Sequence, residues 1–381
     1  MKRLFLSLVI VTSFTFSSNI STAIDNFGFK LFSKISNSSK NIIISSASIY
    51  TALLLVELGA KRDTKKELQN ILDSREFSQD DIKRLQQRLQ SSKDYNLTSI
   101  NSIWIQKNLK IKDDFKTKAK EIFEASVEEV DFYHHPIESI KKINKWVEIR
   151  SNHLIKNFLS ENKSAKEIVA ILLNVIYFNG IWESSFKHTK KGIFFGLNRE
   201  FTIDMMRQTS KFRVYKTDAL KAIELPYRGD FSMVVVVPEN FLEFEKGLSF
   251  DKLKSIVSNF GRKRRIQLIM PKFRAKYHQD LIDSLKKMGM RLSTSSRADF
   301  SGIFESAKFG ISKVIHESVI EVSEKGTKAS AATAVVFTKS VRRVEDFIVN
   351  KPFFFFIIDK RDGLILFMGR VLEPKAFDSS F

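Results

Sequence analysis

Glu324-Lys325-Gly326-Thr327-Lys328-Ala329-Ser330-Ala331-Ala332-Thr333-Ala334-Val335-Val336-Phe337-Thr338-Lys339-Ser340-Val341-Arg342-Arg343 is the stretch that decides the reading of this chain. If it is extended, Thr327, Ala329, Ala331, Thr333, Val335 and Phe337 share one face, and that face carries no charge. Lys328, Ser330, Ala332, Ala334, Val336 and Thr338 share the other. Such a strand can enter a sheet with its first face inward. Yet Lys339, Arg342, Arg343 and Glu345 mark its end as solvent-facing. The segment is both exposed and insertable, which no ordinary core strand or surface loop needs to be.

Outward from this stretch, helices and strands mix without strict alternation. Ile49 to Leu72 has helical spacing through Leu53, Leu54 and Leu58, then, after a polar break, Leu68, Ile71 and Leu72. Ile143 to Leu159 repeats the pattern with Trp146, Val147, Leu154, Ile155 and Phe158. Ser99 to Gln106 alternates as a strand does. Ile168 to Ile176 is nearly all apolar, as expected of a central strand buried on both faces. Phe231 to Val237 and Ile266 to Met270 are further strands, each followed by a proline. Phe347 to Ile358 and Leu364 to Val371 close the chain as β-rich runs around the Asp362-Gly363 turn. No internal repeat or low-complexity run is present. The expectation is one large α+β domain with several sheets.

Composition agrees. The chain has 381 residues, 43% of them hydrophobic, which is ample for a large core. With 6 prolines and 14 glycines, no Pro/Gly-rich linker divides it. Met1-Lys2-Arg3, the apolar run Leu4 to Phe16 and the small residues Ser21-Thr22-Ala23 make a secretory signal over residues 1–23, with cleavage expected after Ala23. The run is too short to span a bilayer. There is no cysteine, so a secreted product must rely on packing rather than disulfides. The formal net charge of +20 favours polyanions. In a secreted protein these are glycosaminoglycans and acidic surfaces rather than chromosomal DNA. Arg262-Lys263-Arg264-Arg265 is the densest basic run and the candidate polyanion site, beside the plainer reading of a solvated loop face.

With these residues in view, the chain resembles the serpin family. Glu324, Gly326, Thr327, Ala329, Ser330, Ala331, Ala332 and Thr333 are similar to the hinge of the serpin reactive loop. Asn350-Lys351-Pro352-Phe353 and Leu366-Phe367-Met368-Gly369-Arg370-Val371 are similar to its C-terminal signature. Asn41-Ile42-Ile43-Ile44-Ser45 with Ser48, the run Asn174 to Trp182, Leu225-Pro226-Tyr227, Met270-Pro271-Lys272-Phe273 and Asp299-Phe300-Ser301-Gly302 also match, in the family's order. The resemblance implies an α+β serpin domain over residues 24–381, with three β-sheets, about nine helices and a reactive loop at about 324–346. It also implies a mechanism that the residues alone do not derive. A protease attacks the loop and forms an acyl-enzyme, and the cleaved loop then inserts into the large sheet and drags the protease with it.

Further positions carry over one at a time. Ser45, Ser48, Asn174 and His316 match a hydrogen-bonded shutter beneath the opening point of the sheet. Lys272 and Glu324 match an ion pair where insertion begins, and Trp182 a packed aromatic nearby. Family spacing counted from the hinge places the reactive bond at Ser340–Val341. Lys339 is the competitor, and Arg342 and Arg343 are further candidates. Ser340 suits a small primary pocket of the elastase kind, whereas the basic residues suit a trypsin-like enzyme. Two departures stand out. Ser46 replaces the usual proline, which is expected to loosen one turn. Lys328 replaces a common glutamate on the face that need not be buried.

The chain is not expected to be an enzyme. It has six histidines, no cysteine and no Gly-x-Ser-x-Gly elbow, and His134-His135 lacks a helical ligand partner. No cofactor, metal site or nucleic-acid partner is expected. The expected product is a secreted, extracellular monomer that inhibits a serine protease and is open to heparin-like glycosaminoglycans. The alternative is a non-inhibitory serpin acting as a polyanion-binding, carrier or chaperone protein.

Overall fold

The computed structural model describes residues 19–35, 40–305, 309–324 and 344–375. In chain order the elements are α1 (Asn19–Ile35), β1 (Ile42–Ile44), α2 (Ser46–Gly59), α3 (Arg62–Leu72), α4 (Gln79–Arg88), β2 (Tyr95–Gln106), α5 (Asp113–Phe123), β3 (Ser126–Val130) and α6 (Pro136–Arg150). There follow β4 (Ala170–Gly180), β5 (His188–Phe195), β6 (Glu200–Lys216), β7 (Leu220–Pro226), β8 (Phe231–Pro238), α7 (Phe241–Lys246) and α8 (Phe250–Ser258). The chain continues through β9 (Arg264–Pro271), β10 (Phe273–Asp280), α9 (Ile282–Lys287), β11 (Lys313–Val322), β12 (Glu345–Ile348), β13 (Phe353–Asp359) and β14 (Ile365–Val371). Nine α-helices are thus present among the described residues.

The strands form a nine-stranded array, β1-β14-β13-β8-β7-β6-β9-β12 with β5 on β6, and a five-stranded sheet, β10-β11-β4-β2-β3. The larger array is two sheets joined by one strand. Up to Phe212, β6 pairs with β9, and from Arg213 it pairs with β7. Counted this way there are three sheets, in keeping with the α+β expectation.

The five-stranded sheet is the part that positions the site. Every residue of β4 is buried, as its apolar run foretold. Its even-numbered side chains, Leu172, Ile176 and Phe178, join the main core with α1 and α2. Its odd-numbered side chains, Ile171, Leu173 and Val175, lie with Ile140, Ile143 and Val147 of α6. The sheet is therefore sandwiched, and sealing both faces buries whole aliphatic side chains worth about 1.5–3 kcal/mol each.

Pairing within the sheet alternates. The pairs β10·β11 and β4·β2 are antiparallel, while β11·β4 and β2·β3 are parallel. The chain beyond β11 begins at Ser323 and, to add to the sheet, would have to fold back antiparallel to β11. Between β11 and β4 such a strand would be antiparallel to both neighbours. Between β10 and β11 it would be parallel to β10 and would break an antiparallel pair. A strand added antiparallel to β11 at the β4·β11 seam would trade parallel pairing for antiparallel pairing.

One sequence reading is corrected. The helical run expected over 143–159 ends at Arg150, because Asn152 and His153 take left-handed φ of 51° and 62°, and Asn157 does the same. Leu154, Ile155 and Phe158 still pack on the same core as α6, which is why their spacing mimicked one continuous helix. The run over 49–72 is two helices, α2 and α3, separated at the polar break.

At the N-terminus, α1 starts five residues before the expected mature end. Ser21 Oγ donates to Asp362 Oδ2 at 2.6 Å, and Arg88 binds the same carboxylate at 2.6 Å. Gly326, Thr327, Ala329, Ser330, Ala331, Ala332 and Thr333 of the hinge lie outside the described residues. So do Lys328 and the reactive-bond candidates Lys339, Ser340, Val341, Arg342 and Arg343.

Candidate functional site: the seam between two parallel strands

The middle of the seam holds the matched polar residues. Asn174 on β4 and His316 on β11 are register partners, and Asn101 on β2 lies across from Asn174 on its other side. The Asn174 amide nitrogen reaches Ser48 Oγ at 2.6 Å, Asn101 Oδ1 at 2.6 Å and the Ser48 carbonyl at 3.1 Å. Its carbonyl oxygen lies 2.6 Å from His316 Nδ1. That oxygen can only accept, so Nδ1 carries the imidazole proton and Nε2, which has no protein partner, is the bare nitrogen. Ser45 caps α2, its Oγ accepting from the Ser48 N–H at 3.2 Å, and Ser48 Oγ meets Ser99 Oγ at 3.2 Å. The structure therefore brings Ser45, Ser48, Asn174 and His316 together, and adds Ser99 and Asn101. Sequence reasoning missed these two. Their signal was polar residues recurring inside the strand Ser99 to Gln106.

Ser46 opens α2, where proline is well suited. Its buried hydroxyl donates to the Ile365 carbonyl at 2.9 Å, and the Ile365 N–H donates to Asp25 Oδ1 at 3.0 Å. This turn is thus tethered to β14 and α1 by hydrogen bonds in place of a rigid ring.

At the upper end of the seam, Lys272 Nζ lies 2.9 Å from Glu324 Oε2, as the sequence match required. Thr189 Oγ1 also donates to Glu324, at 2.7 Å. Partial burial opposes ionisation, but the Thr189 hydroxyl and then Lys272 outweigh it and hold the Glu324 carboxyl below its usual range. The Glu324 carbonyl accepts from the Phe186 N–H at 2.8 Å. Trp182 is buried, stacks on Tyr227 at 4.1 Å, and donates its indole N–H to the Ser323 carbonyl at 2.9 Å. It therefore fixes the point at which the chain leaves β11. Thr189 and Phe186 gave no sequence signal, since both reach Glu324 from β5 and the turn before it.

The far side of the loop has a matching anchor. Glu345, at the start of β12, is held by Lys216 and by Arg264, the latter at 3.1 Å. Lys216 first, and Arg264 after it, draw its carboxyl below the usual range. This splits the basic run. Arg264 is committed to Glu345, while Arg262, Lys263 and Arg265 are exposed, and Arg265 pairs in register with Lys211 on β6.

His316 makes the seam acid-sensitive. Burial first, and the nearby His278 second, push its pKa down to about 3 from the ordinary 6.5. Above the ordinary value it is neutral in both folded and unfolded chains. Below it, the unfolded chain takes up a proton that the fold refuses. Stability should therefore fall as pH drops from 6.5 to about 3, by at most about 1.4 kcal/mol per pH unit. Urea midpoints measured across this range should fall less steeply for His316→Gln than for the parent. Equal slopes would remove His316 from the acid response.

Comparison with known proteins agrees with this geometry. The family model described as "Serpin (serine protease inhibitor)" matches residues 22–374. An uncharacterized serpin-like protein of Thermococcus kodakarensis is 33% identical, covering 93% of this chain and 85% of the relative. Human Serpin B4 is also 33% identical, covering 94% of this chain and 100% of its own. Native protease nexin-1, solved with heparin, superposes with a TM-score of 0.84 at 30% identity, covering 93% of this chain and 100% of that one. Uncleaved ovalbumin shares the fold, with a TM-score of 0.85 at 24% identity over 94% of this chain and 100% of that one. With an ordered set of motifs, a sealed β4·β11 seam and a family match over nearly its whole length, the chain belongs to the serpin family.

Proposed function

We propose that this serpin is a secreted serine protease inhibitor that traps its target as a covalent acyl-enzyme. The observation that carries the reading is the uncharged face Thr327-Ala329-Ala331-Thr333, placed directly after the strand that borders the seam. Small side chains let a strand slip between β4 and β11, and no charge would have to be buried without a partner. Lys328 lies on the opposite face, so it does not oppose entry. The basic leader over residues 1–23 supports export. Removing it would take away the Ser21 bond to Asp362 but leave Arg88 on that carboxylate.

The exposed residues Arg262, Lys263 and Arg265, with Lys211 opposite Arg265, support a polyanion site on the same molecule. The relative solved with heparin is consistent with such a site. A non-inhibitory carrier or chaperone role is the outcome to be separated from trapping.

Three measurements test the proposal. Incubation of the mature protein with trypsin-like, chymotrypsin-like and elastase-like enzymes should give, with one of them, a complex that survives boiling in SDS. The mass of the released C-terminal peptide reads the bond. A peptide starting at Val341 assigns Ser340, and one starting at Ser340 assigns Lys339. One starting at Arg343 or Val344, from a complex that still traps, would show the count to be wrong. Clean turnover of the loop by all three classes, with no complex, would refute inhibition and favour the non-inhibitory role.

Thr327→Arg should convert inhibitor to substrate, because the entering strand would have to bury a cation with no partner. The loop should still be cut, and the yield of complex should drop at least about tenfold. An unchanged stoichiometry would mean that entry does not begin at Thr327.

The protein should need raised salt to leave a heparin column, since the attraction is screened over about 8–10 Å at physiological ionic strength. Replacing Arg262, Lys263 and Arg265 with alanine should lower the eluting salt substantially. Identical elution would assign the binding to diffuse net charge.

A further inference from the structure

A second polar cluster crosses the seam above the shutter, on the opposite face of the sheet. Tyr177 and Asn179 are odd-numbered residues of β4 and face the α6 side, whereas Asn174 faces α2. Tyr177 lies three residues beyond Asn174, about 10 Å further along the strand. Its hydroxyl donates to Glu321 Oε2 on β11 at 3.2 Å. The Asn179 amide donates to the same oxygen at 3.2 Å and to the Tyr177 oxygen at 3.1 Å. On the other side of β11, Arg274 of β10 is the register partner of Glu321, with Nε 3.2 Å from Oε1. One carboxylate thus ties three strands together. All four residues are mostly shielded from water. Tyr177 is 5% and Asn179 3% exposed, and the Arg274 and Glu321 side chains are 10% and 19% exposed.

We infer that Tyr177, Asn179 and Glu321 form a latch across the upper seam that must open before a loop strand can enter, and so set the rate of insertion. This rests on the inhibitory reading above. The geometry makes the latch one-sided. Neighbouring strands lie about 4.8 Å apart, so a strand inserted between β4 and β11 moves them to about 9.6 Å apart. Hydrogen bonds of about 3 Å from Tyr177 and Asn179 cannot survive that separation. The β10·β11 pair is untouched, so Glu321 keeps Arg274. Opening therefore never strands a buried carboxylate without a cation, which would make the latch too costly to release. Burial, and then the Glu321 charge, push the Tyr177 phenol up to about 12, so at neutral pH it remains a proton donor to that charge.

The latch would act on function through a competition. After the loop is cut, the acyl-enzyme either hydrolyses or is carried away by the entering strand. Whatever slows entry favours hydrolysis. Tyr177 and Asn179 are in this sense positioning residues, since neither touches the protease or the reactive bond.

The test uses the full mature chain and, as probe, an acetylated synthetic peptide of residues 327–338. Tyr177→Phe keeps the ring and removes only the hydroxyl. It should take up the peptide about tenfold faster than the parent. Asn179→Ala should act in the same direction, and the double variant should be faster than either. Melting supplies the readout that a merely structural role would not move in this way. The uncut Tyr177→Phe protein should melt lower than its parent, while the loop-cleaved forms of the two, in which the latch is already open, should melt together. An unchanged uptake rate, or equal loss of melting temperature in uncut and cleaved forms, would overturn the latch and leave the inhibitory reading intact. A parent that takes up no peptide and gains no stability on loop cleavage would overturn both.

Discussion

The hydrogen bonds that hold β4 against β11 are the constraint on which the rest of this molecule depends. These strands are parallel, they come from distant parts of the chain, and they lie at the centre of a sheet covered on both faces. Nothing covalent joins them locally. Backbone pairing, the Asn174–His316 contact, the Tyr177 and Asn179 bonds to Glu321 and the apolar layers above and below keep them together. On the inhibitory reading proposed above, this seam has to be tight enough to persist and weak enough to yield. Parallel pairing, slightly weaker per residue than antiparallel, suits that requirement. Buried polar groups suit it too. Each bond adds little net stability while made, yet breaking it without replacement leaves a desolvated group unpaired. Polar fasteners therefore give a sharper barrier than aliphatic packing, which yields gradually as surfaces slide.

The sequence made much of this legible, and the exceptions follow one rule. Ser45, Ser48, Asn174, Trp182, Lys272 and Glu324 were readable because each sits inside a local motif, and His316 only as a single position matched to the family. The apolar run of β4 announced its own burial. Ser99, Asn101 and Thr189 were not readable, because their roles arise from register between strands remote in sequence. Tyr177, Asn179 and Glu321 are the extreme case, with Tyr177 and its acceptor 144 positions apart. Periodicity misled at one place, where Leu154, Ile155 and Phe158 keep helical spacing after the helix has ended. Ile155 and Phe158 are buried, and Leu154 half-buried, against the same core as α6, and burial rather than helix is what periodicity reports. The expected hinge beyond Glu324 and the reactive bond lie outside the described residues.

Charge is distributed with the same economy around the loop. Glu324 and Glu345 stand at its two ends, and each carboxylate is held by basic or hydroxyl groups from a neighbouring strand. In a chain with so large a basic excess, these acidic residues are outnumbered and readily satisfied. The remaining cations near β9 are left facing solvent, where a polyanion can reach them without disturbing either anchor.

The two loop anchors nevertheless belong to different structures. Glu324 follows β11, in the five-stranded sheet. Glu345 begins β12, which pairs with β9, then β6, β7, β8 and β13. Since β13 is also the next strand after β12 in the chain, the downstream stump is closed into a circuit, covalent on one side and hydrogen-bonded on the other. The upstream stump is held differently: it leaves β11, which is paired on both sides, to β10, the strand before it in the chain, and to β4. If the loop is cut anywhere between the two anchors, the two new ends are mechanically unequal. One begins a short strand paired to β9 inside a long ring, while the other leaves the end of a strand paired on both sides, at the mouth of its parallel seam with β4. On the inhibitory reading, only the upstream end would lie beside the parallel seam, whichever bond between the anchors is broken.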